Sequence, residues 1–319
     1  MESLIETHDL TKIFNSSKVV DAVSFSVRKG EVLGFLGPNG AGKSTTMKMI
    51  TGFLPPSSGT IIIDGHNIES SELIAKSNIG YLPEGAPAYA EMTPRNFLFF
   101  VAAARKIPRA KRASQIQKVT KKIHLESVMD QRIETLSKGF KRRLGLAQAI
   151  LHDPAILVLD EPTDGLDPNQ KHEVRTLISE MSSEKAIIIS THILEEVEAV
   201  CSRAAIINQG NLIFDGTPSE LAAQSRYHNA ITVVLPLENV AMVHKFLEET
   251  TLVFEIARVQ TENHLRLSVK TKNAEVTPDQ IRVALTDAGC GIEELYIERG
   301  RLDEVFRNLT NQGNAGSLT

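Results

Sequence analysis

The chain has 319 residues, 42% hydrophobic and 23% charged, and 35 Lys and Arg against 39 Asp and Glu leave a net charge of -4. That length suits two domains, and the balance excludes a disordered or fibrous chain and a general nucleic-acid binder. Aromatics are 5% with no Trp, so the core must be mainly aliphatic and stacking platforms for single-stranded nucleic acid are scarce. The two cysteines, Cys201 and Cys290, have no CxxC spacing and no clustered His, which signals neither a disulfide framework nor a zinc site.

The N-terminus lacks a basic region followed by an apolar stretch, so no secretory signal is expected. Residues 4–14 and 19–27 read as strands, and residues 31–37 (EVLGFLG) as a strand that runs into a Gly-rich turn. Residues 60–64 add another strand, suggesting an antiparallel layer beside a parallel one. Between 93 and 150 the pattern is almost wholly helical. Within it, the stretch 105–122 carries eight Lys or Arg and no acid, most simply a solvated helix face. The runs 155–160 (AILVLD) and 186–191 (AIIIST) are nearly continuous apolar strands, the pattern of a parallel sheet covered on both faces. No apolar run reaches the 18 residues of a membrane span.

After 224 the character changes. Strands at 231–235, 252–260, 264–270 and 291–297 and helices at 238–249 and 278–288 give the order βαββαβ, that of an α+β ferredoxin-like domain. A short amphipathic helix at 302–309 is expected to follow, then a disordered tail over 311–319.

Chemistry concentrates in two places. Gly37, Pro38, Asn39, Gly40, Ala41, Gly42, Lys43, Ser44 and Thr45 form a phosphate-binding loop between a strand and a helix opening at Lys43. Its backbone N–H groups and the helix N-terminus suit phosphate oxygens, Lys43 suits the β and γ phosphates, and Ser44 suits magnesium. The run ILVLDE places Asp160 and Glu161 at a strand's carboxyl end, where sites of α/β sheets lie. Asp160 can hold magnesium through water, and Glu161 can align or deprotonate an attacking water. By itself such an acid pair also suits N-capping of the next helix.

Together these residues resemble the ABC-family ATPases, the nucleotide-binding subunits of transporters, over about residues 4–221. Residues 136–139 (LSKG) are similar to the family signature, which implies that Ser137 and Gly139 contact ATP held by the opposite protomer. An ordinary Ser-capped helix is the alternative for LSKG alone. Residues 165–167 (GLD) resemble the loop that crosses the dimer interface, implicating Asp167. His192 resembles the histidine that senses the γ phosphate, and Phe14 the aromatic that stacks on adenine, although a core strand Phe is the alternative there. Three positions depart from the family pattern. Glu84 stands where many relatives carry Gln, Lys138 replaces the second signature Gly, and Phe140 replaces the following Gln. Glu84 still offers oxygen to magnesium, beside Asp160.

The resemblance implies a P-loop NTPase of the ABC type over 1–223, with a helical subdomain at about 93–150 and the accessory domain over 224–310. It implies ATP and Mg²⁺, catalysis by Lys43, Glu161 and His192, and metal contacts from Ser44, Asp160 and Glu84. It further implies a homodimer on the cytoplasmic face of the membrane, working with a separately encoded permease. The variants point to the bacterial exporter subgroup for drugs, sodium, lipids or polysaccharides. A soluble ABC ATPase without a transport role, or a nucleotide-dependent regulatory dimer, are the alternatives; no specific nucleic acid is expected.

Overall fold

In the computed structural model the described residues are 3–239, 241–243, 246, 253–261, 263–271 and 277–312. They form two compact units, one built on residues up to Pro218 and the other on Ser219–Asn311.

The first unit opens with a long hairpin, β1 (Ser3–Phe14) and β2 (Ser17–Arg28), whose turn residues Asn15 and Ser16 have φ of 45° and 70°. Strand β3 (Val32–Leu36) feeds the Gly-rich loop and helix α1 (Lys43–Ile50). Next come β4 (Ser58–Ile63), β5 (His66–Asn67), α2 (Glu72–Ser77) and β6 (Ile79–Leu82). The helical stretch contains α3 (Pro94–Ala104), α4 (Arg109–Lys122) and α5 (Lys138–Ile150). Strand β7 (Ile156–Asp160), α6 (Pro168–Ser182), β8 (Ala186–Thr191), α7 (Leu194–Val200), β9 (Arg203–Asn208) and β10 (Asn211–Gly216) complete it.

Two sheets result. The outer one is antiparallel, in the order β2-β1-β4-β5; the central one runs β10-β9-β3-β8-β7-β6, parallel except for β10. Every residue of β3, β7 and β8 is buried, which explains why those strands read as continuous apolar runs. One aliphatic core joins the sheets: Ile5, Val23, Ile61 and Ile63 from the outer sheet meet Leu33, Val158 and Ile188 from the central one, with Met47 and Ile50 of α1 among them. At roughly 1.5–3 kcal/mol for each fully buried side chain of this size, that core fixes where β3 and β7 end. The expected basic face of 105–122 is only partly solvated. Arg105 and Arg112 turn inward and donate to the carbonyls of Lys76 and Ile107.

The second unit contains β11 (Ile231–Pro236), β12 (Val253–Gln260), β13 (His264–Thr271) and β14 (Glu294–Ile297), all antiparallel in the order β12-β13-β11-β14. Alternate residues of β11 and β13, among them Ile231, Val233, Leu235, Leu265, Leu267 and Val269, line a core with Ile281 and Leu285 of the helix Pro278–Asp287. That helix begins at a capping box in which Thr277 and Gln280 satisfy each other's backbone N–H. The last strand is shorter than the expected 291–297, and the terminal helix Leu302–Gln312 longer than 302–309. Leu237–Asn239 makes a 3₁₀ turn. Half of the helix expected over 238–249 and most of the tail over 311–319 lie outside the described residues.

Candidate functional site

The loop between β3 and α1 curls because Gly42 has φ 108°, and a Cβ there would lie 2.6 Å from the carbonyl oxygen of Val19. Only glycine fits. Lys43 follows and is 6% exposed; its Nζ lies 2.7 Å from the Gly37 carbonyl oxygen and 3.1 Å from that of Pro38. Burial lowers its pKa, while the carboxylates of Glu161, Asp160 and Glu84 work in the opposite direction. A buried cation at a helix N-terminus suits an anion, and the three acids beside it suit a metal ion that would balance their charge.

Opposite the loop, β7 delivers Asp160 fully buried. Its Oδ1 lies 3.4 Å from Ser44 Oγ and accepts a hydrogen bond from Ser190 Oγ, whereas Oδ2 has no partner among the described residues. Glu161 has φ 50°, an uncommon value for a residue with a Cβ. Its backbone N–H donates to the carbonyl oxygen of Ser190 at 3.0 Å. Its Oε1 meets His192 Nδ1 at 3.0 Å. Glu84 and Glu161 share a cavity of about 290 Å³ with Asn39, Gly40, Gly42, Lys43, Ser44 and Thr45. The structure therefore brings the loop, both strand-end acids, Glu84 and His192 to one place.

The remaining expected residues do not line that cavity. Phe14 is 43% exposed, with Lys12 Nζ 5.2 Å above its ring, so it is not a core residue. Ser137 caps α5 by accepting from the Phe140 N–H at 3.3 Å. Gln170 covers Gly139, its Oε1 only 2.4 Å from where a Cβ would sit. Asp167 caps α6 and accepts from the N–H of that same Gln170 at 2.9 Å.

Two site groups escape sequence reasoning. Arg142 on α5 is 5% exposed; burial lowers its pKa against the pull of Asp164, Glu161, Asp160 and Glu84. Nothing in the run KRR separates it from its two basic neighbours. Tyr81 on β6 has a buried hydroxyl without a partner among the described residues, and burial with the charges of Asp160 and Glu84 keeps it protonated.

Comparison with known proteins agrees with this geometry. The family model for ABC transporters matches residues 20–164. The chain is 34% identical over 310 residues to the Nod factor export ATP-binding protein I of Rhizobium meliloti, covering 97% of this chain and 88% of the relative. It is 29% identical over 311 residues to the linearmycin resistance ATP-binding protein LnrL of Bacillus subtilis, covering 97% and 99%. Against the larger ABC transporter A family member 1 of Dictyostelium discoideum it is 35% identical over 81% of this chain but spans only 30% of that protein. A solved ATP-binding subunit of an ABC transporter superposes with a TM-score of 0.65 at 30% identity, covering 70% of this chain and 93% of the other. The chain belongs to the ABC transporter family, as one of its ATP-binding ATPase subunits.

Proposed function

We propose that this subunit hydrolyses ATP as a head-to-tail homodimer and drives export through a separately encoded membrane permease, on the cytoplasmic face of the membrane. The observation that carries the hydrolytic role is the Glu161 carboxylate at the end of β7, held by His192 at 3.0 Å and sharing a cavity with Lys43. A carboxylate so placed can take the proton of a water attacking the γ phosphate, while His192 keeps it aimed. This pair also argues against a dimer that binds ATP only to regulate.

In this scheme residues 37–45 wrap the phosphates, and Lys43 leaves its carbonyl partners for the β and γ oxygens. Phe14 stacks on adenine, for which its exposure leaves it free. Ser137 and Gly139 serve the ATP of the opposite protomer, and Asp167 lies in the loop at the dimer interface. The residues present suit Mg²⁺: Asp160 Oδ2 is buried without a partner among the described residues, Ser44 and Glu84 add oxygen donors, and magnesium favours oxygen ligands and retained water. Bound there, the ion would neutralise phosphate charge.

Export is supported by the names of the Rhizobium and Bacillus relatives, one for Nod factor export and one for linearmycin resistance. No described helix is long and apolar enough to cross a membrane, in keeping with a pore supplied by another chain. We further propose residues 1–223 as the ATPase domain, with residues 93–150 as its helical subdomain, and residues 224–310 as an accessory ferredoxin-like domain. The all-antiparallel order β12-β13-β11-β14 supports the last assignment.

The test is steady-state ATP hydrolysis by the purified chain with Mg²⁺, combined with sedimentation. Ser137→Arg is expected to bind ATP as a monomer and to form no ATP-dependent dimers, because bulk and charge enter where a second γ phosphate must dock. Absence of hydrolysis in the parent, or unchanged dimers in the variant, would reject the scheme.

A further inference from the structure

Glu196, on α7, is 4% exposed. Among the described residues its partners are hydroxyls from two segments far apart in the chain. Thr163 Oγ1 donates to Oε1, and Thr191 Oγ1 donates to Oε2 at 2.7 Å. Thr191 Oγ1 in turn accepts from the Ile193 N–H at 3.0 Å. Thr163 stands two residues after Glu161 and opens the segment that reaches Asp167; Thr191 immediately precedes His192. One carboxyl group therefore ties together the two turns that carry Glu161 and His192.

The helix bearing it is itself firmly seated. Gly34 of β3 lets α7 approach so closely that a Cβ there would lie 2.9 Å from Cys201 Sγ and 3.2 Å from Val197 Cγ2. Strand β3 is the strand that ends in the phosphate loop. A buried carboxylate on a firmly seated element, with both oxygens engaged, is an arrangement that holds a catalytic pair in register.

We infer, on the footing of the ATPase role proposed above, that Glu196 is a positioning residue that locks the segment from Glu161 to Asp167 and the turn at His192 into one unit. Displacing the segment near Asp167 then displaces His192 with it. The carboxyl group acts through the geometry of the Glu161–His192 pair.

Turnover and KM for ATP in the purified full chain test this. Glu196→Ala is expected to lower kcat by about 10- to 100-fold, the scale of an ångström-sized misplacement, with KM changed less than about threefold. Glu196→Gln, which keeps one acceptor and the size of the side chain, is expected to recover part of the loss. In a His192→Ala background, adding Glu196→Ala is expected to cost less than about threefold more, since residues that act as a unit are non-additive. Fully additive losses, an unchanged kcat in both Glu196 variants, or a change confined to KM would overturn the inference. If Glu196→Ala does not fold, Glu196→Gln and Thr191→Val supply the same measurements, and unchanged kcat in both overturns it. A parent chain that turns over no ATP would instead reject the ATPase role itself, and the inference with it.

Discussion

Two polar clusters, the one around Lys43 in the first unit and the one around Glu298 in the second, are buried in different ways. In the first, Asp160 Oδ2 and the Tyr81 hydroxyl have no partner among the described residues, and the buried Lys43 ammonium rests on main-chain carbonyls. In the second, Glu298 is 8% exposed and accepts from Arg301 at 2.7 and 2.6 Å, from Thr232 at 2.5 Å and from Ser268 at 3.3 Å. The Arg301 guanidinium also lies 3.5 Å from the centroid of the Tyr227 ring. Burial raises the Glu298 pKa, yet Arg301, Thr232 and Ser268 outweigh it and hold the group below the usual carboxylate range. Buried polar groups normally find partners within the fold. A self-contained cluster such as that around Glu298 serves stability, whereas the gathered acids and half-satisfied groups around Lys43 await partners from outside.

The sharpest attempt to break this contrast is Glu161→Gln. Turnover is expected to fall by ~10²- to 10⁴-fold, the usual loss of a general base, with ATP affinity, ATP-dependent dimers and thermal midpoint retained. Near-normal hydrolysis would show that the cluster of acids is not catalytic. Arg301→Ala is the converse experiment. It removes two charge-assisted hydrogen bonds to Glu298, so calorimetric or denaturant unfolding should register a loss of about 1–3 kcal/mol, while ATP turnover at low temperature stays at the parent rate. A turnover loss without a stability loss would dissolve the distinction between the units.

The smallest effect sharpens it from inside the first unit. His152 Nδ1 is also buried without a partner among the described residues, but Nε2 lies 3.1 Å from the Ile79 carbonyl oxygen, at the amino end of β6 and away from the phosphate loop. Burial, aided by Arg105 and Lys185, lowers its pKa from 6.5 to about 4. A depressed histidine pKa means that the unfolded chain binds the proton first as pH falls. Stability is therefore complete above about pH 6.5 and declines as pH drops toward 4. The thermal midpoint should fall over that range in the parent and fall less in His152→Gln, with turnover at neutral pH unchanged in both. Equal pH profiles would remove His152 from the account of acid sensitivity.

Local features were readable because local chemistry sets them. Gly37 to Thr45 announces itself by spacing, since the curl of the loop, the position of Lys43 and the start of α1 are properties of nine consecutive residues. Asp160 and Glu161 were legible for a similar reason: a fully buried strand reads as an apolar run, and the first acids after it mark its carboxyl end. The four strands of the second unit and its helix at 278–287 were readable from periodicity, although the ends of β14 and of the last helix were not, because terminal turns are set by what they pack against.

What the tertiary structure alone decided is which distant segments meet. Whether Phe14 is buried depends on what covers that end of β1, and no local pattern reports it. Arg142 became a site residue only once α5 packed so that one of three consecutive basic side chains faced the acids. Gln170 reached Gly139 and Asp167 from one helix position. Glu196 met Thr163 and Thr191 because α7 is seated on β3. Sequence determined the chemistry each segment carries, since spacing, propensity and charge act over a few residues. The pairing of those chemistries required the fold, because hydrogen bonds and burial act over ångströms regardless of separation along the chain.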